Sequence, residues 1–293
     1  MKRLTLALGA LLASHAHAAI TVQDDDGNTV TLQKPALRVI AMAPHVTEMV
    51  YAAGGADRII AAVDYSDFPE AAKRLPRVGS NRQIDMERVA SLKPDLIVIW
   101  MHGCSERQIE QIRALGIPMY HSEPKKLDDI AGNLVRIGKL MGTEAVADAA
   151  AADFRKRLGA LAAQYAHRPP VRTFYQVWDK PLYTLNGGHI VSDALRICGG
   201  VNIYAHMKVT APVVNVEAVL QEDPEALISS GEISAEEGGV AIWKPYTMLT
   251  AVKRNNLFRI NGNLLNRAGP RMVAGTALMC ESLELARLRR KTP

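Results

Sequence analysis

The chain has 293 residues, 48% hydrophobic and 22% charged, with a formal net charge of +5. That length holds two domains of ordinary size, and the composition is that of a soluble globular protein. Without Lys2 and Arg3 the 35 basic residues become 33 against 30 acidic ones, a net +3, and the one basic cluster lies in the tail at 287–291, which excludes a nucleic-acid surface.

Lys2 and Arg3 precede an apolar run over residues 4–13, and Ala16-His17-Ala18 offers the small residues of a cleavage site. Residues 1–18 therefore read as a signal peptide cut after Ala18, and the protein as exported to the periplasm. The run is shorter than the roughly 20 apolar residues a spanning helix needs. No later segment is apolar enough to cross a membrane, and no cysteine near Ala18 offers a lipid anchor.

Residues 21–33 alternate around Asp26-Gly27-Asn28, which predicts a β-hairpin. A short apolar strand over 38–43 runs into a helix that starts at Pro44 and is ended by Gly54-Gly55. Residues 59–63 form the next strand, followed by the loop 64–69. The stretch 84–98, IDMERVASLKPDLIV, is then echoed without gaps at 214–228, VNVEAVLQEDPEALI. Glu87 meets Glu217, Val89 meets Val219, Pro94 meets Pro224 and Asp95 meets Glu225. Each copy is a short helix broken by proline before an apolar strand. Two copies far apart predict two similar α/β lobes.

After the first copy, Trp100 ends a strand and a loop carries His102 and Cys104. A helix over 105–115 and a strand over 117–121 follow. Strands alternating with helices predict parallel sheets with helices on both faces. Residues 127–165 are dominated by helix formers, divided by Gly142. The second of these helices, about 25 residues and some 37 Å long, lies between the two copies of the repeat and reads as a rigid rod joining the lobes. The second lobe begins after Pro169-Pro170, with a strand over 171–178, a turn and short strand over 180–186, and a helix over 190–198 closed by Gly199-Gly200. Beyond the second copy come a polar loop at 231–239, a helix around 246–252, a strand at 257–260 and a last helix over 271–290. The expected fold is α/β, two Rossmann-like lobes with parallel sheets joined by one long rigid helix. Its divisions are 19–140 for the N-terminal lobe, 141–168 for the connecting helix and 169–293 for the C-terminal lobe.

No nucleophile elbow, Walker loop, dinucleotide fingerprint or zinc motif occurs. The histidines show no pair at ligand spacing, so no metal site is expected; His45 and His102 carry more weight than the rest, since each stands at a strand end, where open α/β sheets place ligands. Cys104, Cys198 and Cys280 permit one disulfide and one free thiol, and composition does not choose the pair. An exported enzyme using His45 or His102 would lack an activated nucleophile. A binding protein is the reading that remains.

The chain resembles the ABC-importer substrate-binding proteins whose two lobes are joined by one long helix, and among them the periplasmic cobalamin-binding proteins. The carrying residues are Arg38-Val39-Ile40 with Pro44 and Thr47-Glu48, Tyr65 to Pro69, Met86 to Val89 with Leu92 to Leu96, and Trp100 with Gly103 and Glu106-Arg107-Gln108. Cys198-Gly199-Gly200 with Asn202-Ile203, and Arg267-Ala268 with Pro270-Arg271, extend the resemblance over the second lobe. It implies a monomeric carrier that takes cobalamin between its lobes and hands it to a membrane permease, with no catalytic residue or catalytic cofactor. Tyr65, Trp100 and Arg267 match cleft positions, and Pro44, His45, Phe68, Trp178 and Asn263 are expected to face the same cleft. Glu87 and Glu217 match a pair that docks on permease arginines; each is also a favourable acidic residue in a first helical turn. Cys198 and Cys280 match bridged cysteines. Asn81 and Ala211 stand where that family carries tryptophans, and Asn263 where it carries an aspartate. A haem or ferric-siderophore carrier of the same fold, with His45 or Tyr65 as axial ligand, is the alternative.

Overall fold

The computed structural model describes residues 19–230 and 238–290. The signal peptide expected at 1–18 and most of the polar loop expected at 231–239 lie outside them. The chain opens with an antiparallel hairpin, β1 (Ile20–Gln23) and β2 (Thr29–Leu32). Its turn is held by Asp24, whose Oδ1 accepts from the N–H groups of Asp26 at 3.0 Å and Asn28 at 2.8 Å.

The first lobe runs β3 (Val39–Met42), α1 (Pro44–Ala52), β4 (Ile59–Ala62), α2 (Met86–Ser91), β5 (Leu96–Ile99), α3 (Glu106–Ala114) and β6 (Met119–His121). Its strands form one parallel sheet in the order β4-β3-β5-β6. Every residue of β3 and β5 is buried, as unbroken apolar runs require when helices cover both faces. Next come α4 (Leu127–Met141) and α5 (Glu144–Tyr165).

The second lobe runs β7 (Val171–Gln176), α6 (Ile190–Ile197), β8 (Gly200–Asn202), α7 (Val216–Glu222), β9 (Ala226–Ser229), α8 (Thr250–Lys253), β10 (Leu257–Arg259), α9 (Gly262–Leu265) and α10 (Met272–Arg289). Its parallel sheet is ordered β8-β7-β9-β10, the same topology as the first.

The sequence echo is a structural one. Asp85 and Asn215 cap α2 and α7 alike, accepting from Arg88 N–H at 2.9 Å and Ala218 N–H at 2.8 Å. Val89 and Val219 are fully buried beneath the two helices. The residue before each proline adopts positive φ, 47° at Lys93 and 40° at Asp223. Asp95 N–H then donates to Arg38 O at 3.0 Å and Glu225 N–H to Arg172 O at 2.9 Å, so each copy docks its strand beside the first strand of its own sheet.

Gly142 ends α4 with φ 64°, a left-handed cap that lets the chain turn at once into α5. The 22 residues of α5 span about 33 Å. Its start is tied to the first lobe, where Thr143 Oγ1 donates to Ala53 O at 2.6 Å. Its end is tied to the second, where Arg168 pairs with Glu284 of α10. Ala147, Ala151, Phe154 and Leu158 form its buried stripe. They belong to an apolar cluster that continues from α1 through α4 and α5 to α6 and α10, while a separate cluster fills the far face of each sheet. A shared core along this side makes the connection stiff, since packed interiors resist shear.

Some elements differ from expectation. Gly199-Gly200 does not simply close α6: residues 200–202 form β8, too short and too weakly apolar to read as a strand, and set by pairing with β7. Residues 180–186 form no regular strand, only bridges from Tyr183 to Trp178 and Val213. The helix expected around 246–252 starts later, at Thr250, and is preceded by a 3-10 turn over Gly239–Trp243. That turn seats Trp243 in the core, where its Nε1–H donates to Gln176 Oε1 at 2.6 Å. Cys198 and Cys280 are bridged, joining the end of α6 to α10 across 82 residues of chain. Closing such a loop stabilises the fold by about 4 kcal/mol on a chain-entropy account. Cys104 is free and half-buried, and burial pushes its thiol pKa up. Among the described residues no helix is long and apolar enough to cross a membrane.

Candidate ligand-binding cleft

The carboxyl ends of both sheets face a common cleft, as open α/β sheets dictate. It encloses about 680 Å³ and is lined from both lobes. The first contributes His45, Trp100, His102, Glu123 and Lys125; the second Leu185, Asn186, His189, Ile190, Ala211, Asn266 and Ala268. A side pocket of about 180 Å³ opens past Trp100, walled by Pro44, Tyr65, Asn81 and Gly103. Gly103 is needed there, because a Cβ would stand 2.4 Å from the Trp100 ring. A more open depression of about 670 Å³ lies beside Glu87 and belongs to the first lobe alone.

Of the residues singled out from sequence, Pro44, His45, Tyr65 and Trp100 stand together on these walls. Pro44 is the first residue of α1 and His45 the second, so both are set by where β3 ends. Trp100 is held edge-on to His45, with ring centroids 6.0 Å apart, and its Nε1–H donates to Glu123 Oε1 at 3.1 Å. Tyr65 is 79% exposed and carries φ 62°, a left-handed conformation uncommon for a bulky residue.

The others are not among the residues that line these two pockets. Arg267 sits between the cleft residues Asn266 and Ala268 but turns to the first lobe, pairing with Asp67 and lying 3.5 Å from Glu48. Phe68 lies under the Arg271 guanidinium, 4.2 Å from ring centroid to charge. Trp178, 63% exposed, follows β7 and donates to Lys180 O at 3.2 Å. Asn263 lies in α9, with its N–H bonded to Asn261 Oδ1 at 2.9 Å. Glu87 and Glu217 are exposed, each the second residue of its helix on its own lobe.

Sequence reasoning missed Glu123, His121 and His189. The strand-end rule that found His45 and His102 could have found the first two, since β6 ends at His121. Burial in an apolar wall would raise the Glu123 carboxyl pKa; contact with His121, the Trp100 bond and the charge of His102 outweigh it and hold it at about 2. Asp25 fixes its backbone, accepting from Glu123 N–H at 2.6 Å. His189 reaches the cleft because its Nδ1 caps α6, accepting from Val191 N–H at 3.2 Å.

Burial lowers the pKa of both His45 and His189 from 6.5 to about 4. Between those values the unfolded chain binds more protons than the folded one, so stability falls as pH drops from 6.5 towards 4. Replacing both by asparagine is expected to flatten the dependence of Tm on pH across that window. Calorimetry of the two proteins from pH 7 to 4.5 checks this, and parallel curves contradict two buried neutral imidazoles.

The chain matches the sequence profile of the periplasmic binding protein family over residues 39–264. It belongs to that family, a class of two-lobed carriers that bind rather than transform. Among its relatives, the vitamin B12-binding protein of Vibrio cholerae serotype O1 is 39% identical over 252 residues, which is 86% of this chain and 91% of that one. The crystal structure of the periplasmic vitamin B12 binding protein BtuF of Vibrio cholerae superposes with a TM-score of 0.81 at 38% identity, covering 86% of this chain and 98% of that one. The periplasmic heme-binding protein RhuT from Roseiflexus sp. RS-1 shares the fold, with a TM-score of 0.74 at 20% identity over 85% of this chain and 98% of its own.

Proposed function

We propose that this protein is exported, cleaved after Ala18, and acts as a monomeric carrier that takes cobalamin between its lobes and delivers it to the permease of an ABC importer. The observation that supports this best is an interlobe cleft, walled by His45 and Trp100, on a chain 39% identical to a vitamin B12-binding protein. A corrinoid offers a broad apolar ring edged with amides. Trp100, Leu185 and Ile190 suit the ring; Asn186, Lys125 and Asn266 suit the amides. Pro44 and Tyr65 shape the side pocket, while Phe68, Trp178 and Asn263 form the rim. Arg267 acts at the base of the cleft, holding the lobes together through Asp67. The divisions that go with this reading are 19–140 and 169–293 as lobes and 141–168 as connector. No residue has a catalytic role, and the cobalt arrives inside the cargo.

Titration of the mature protein with cyanocobalamin and, separately, with haemin tests the reading by absorbance and calorimetry. One corrinoid per protein is expected, with Trp100→Ala weakening it about tenfold or more, as central aromatic anchors do. Haemin binding tighter than the corrinoid would transfer the protein to the haem carriers.

A further inference from the structure

His102, His121 and Glu123 were far from any metal spacing in the sequence, yet they meet in the fold. β5 and β6 are neighbouring parallel strands, with Ile99 paired to His121. The residues just past their ends therefore share one patch. One ligand atom from each of the three lies within 4.8 Å of the others. His102 Nδ1 is 2.7 Å and His121 Nε2 3.6 Å from Glu123 Oε2. Asp26, from the hairpin turn, brings its Oδ2 to 3.7 Å from His121 Nε2.

Two features separate this group from an ordinary surface cluster. His121 is only 1% exposed, and neither its Nε2 nor the Glu123 Oε2 makes a well-aligned hydrogen bond. A buried ring nitrogen whose polar neighbours are carboxylate oxygens at 3.6 and 3.7 Å is incompletely bonded, and a cation between them would complete it. The second feature is the other ring nitrogen. His121 Nδ1 lies 3.2 Å from the Met101 N–H and 3.3 Å from Ile99 O, so backbone groups hold that nitrogen in either tautomer and fix the ring with Nε2 facing Glu123 and Asp26. A backbone carbonyl on the far nitrogen is the usual support of a ligating histidine.

We propose that His102, His121 and Glu123, with Asp26 or solvent as fourth ligand, form a site for a borderline divalent cation of the zinc class. Bonds of about 2.0–2.1 Å in a tetrahedron separate ligand atoms by about 3.4 Å. The 3.6 and 3.7 Å separations around His121 are close to that. The shorter His102–Glu123 contact opens by a rotation of His102, whose side chain is 63% exposed and free to move. Two imidazoles and a carboxylate, without a thiolate, suit zinc over copper(I), and over the all-oxygen shells of magnesium or calcium. His102 and Glu123 also line the cleft, so the cation would sit in its wall. The site does not depend on which cargo the cleft takes.

The test uses chelator-treated mature protein titrated with ZnCl2 by calorimetry, and with Co2+ as an optical probe of coordination. One zinc per chain is expected, with protons released on binding, and the visible bands of four-coordinate cobalt. His102→Ala and Glu123→Gln should each weaken binding about tenfold or more, while the distant His167→Ala leaves it unchanged. Circular dichroism confirms that the variants are folded, and exposed His102 is the safer probe should a change at buried His121 prevent folding. No binding at micromolar zinc, binding at full strength in both variants, or loss in His167→Ala each overturn the assignment.

Discussion

Reversing the charge of Glu87 and Glu217 together is expected to abolish stimulation of the importer's ATPase while corrinoid affinity stays at its wild-type value. Both carboxylates are exposed, both stand second in a capped helix, and the helices are equivalent elements of two lobes with the same topology. A platform that must engage both lobes at once needs one such contact on each, and exposed charges serve steering and register more than affinity. Their place in the first helical turn is worth only about 0.3–1 kcal/mol each, so reversal leaves the fold intact. Neither residue lines the cleft. ATP hydrolysis by the reconstituted importer, with and without the double variant, is the measurement. Normal stimulation removes the docking role.

Removing the Glu48 carboxylate is the other change with a large expected effect. Glu48, on α1, is 2% exposed and receives Arg271 Nε at 2.9 Å and Nη2 at 2.6 Å, with Arg267 Nη1 at 3.5 Å. These arginines come from the segment between α9 and α10, so the cluster clasps one lobe to the other. A second clasp, from Leu127 N–H to Asp193 Oδ2 at 2.9 Å, lies between α4 and α6. Breaking a buried pair leaves charge uncompensated and typically costs 3–5 kcal/mol. Arg271 keeps its seat on Phe68 and Arg267 keeps Asp67, so the lower end of that range applies. Glu48→Ala should lower stability by about 3 kcal/mol, read as a reduced urea midpoint. Replacing Glu48 by leucine and Arg271 by methionine together should recover much of the loss, because no charge is then stranded. A loss below about 1 kcal/mol for Glu48→Ala would reduce the clasp to an ordinary surface pair.

The alternation of strand and helix, the stop at Gly142 and the doubled helix–proline–strand segment are local patterns, and each appears in the structure at or near its expected place. Local patterns are legible because period, capping and proline act within a few residues. β8 and the Trp243 turn were not legible, since a three-residue strand and a buried indole are both secured by partners far away in the chain. The cleft divides in the same way. His45 and Trp100 stand immediately after apolar strands and could be named from the sequence. Glu123 depends on Asp25 and Trp100, and Arg267 on Asp67, 200 positions away.

By itself, then, the sequence determined the class: two like α/β halves, a helical connector between them, and the strand ends where a cargo must sit. Only the tertiary structure decided which side chains share that space. It brought His102, His121 and Glu123 to one patch, and it turned Arg267 to Asp67 and Glu48. The reason is physical. Secondary structure is set by near neighbours along the chain, whereas a site is assembled from loops whose neighbours are chosen by sheet order and core packing.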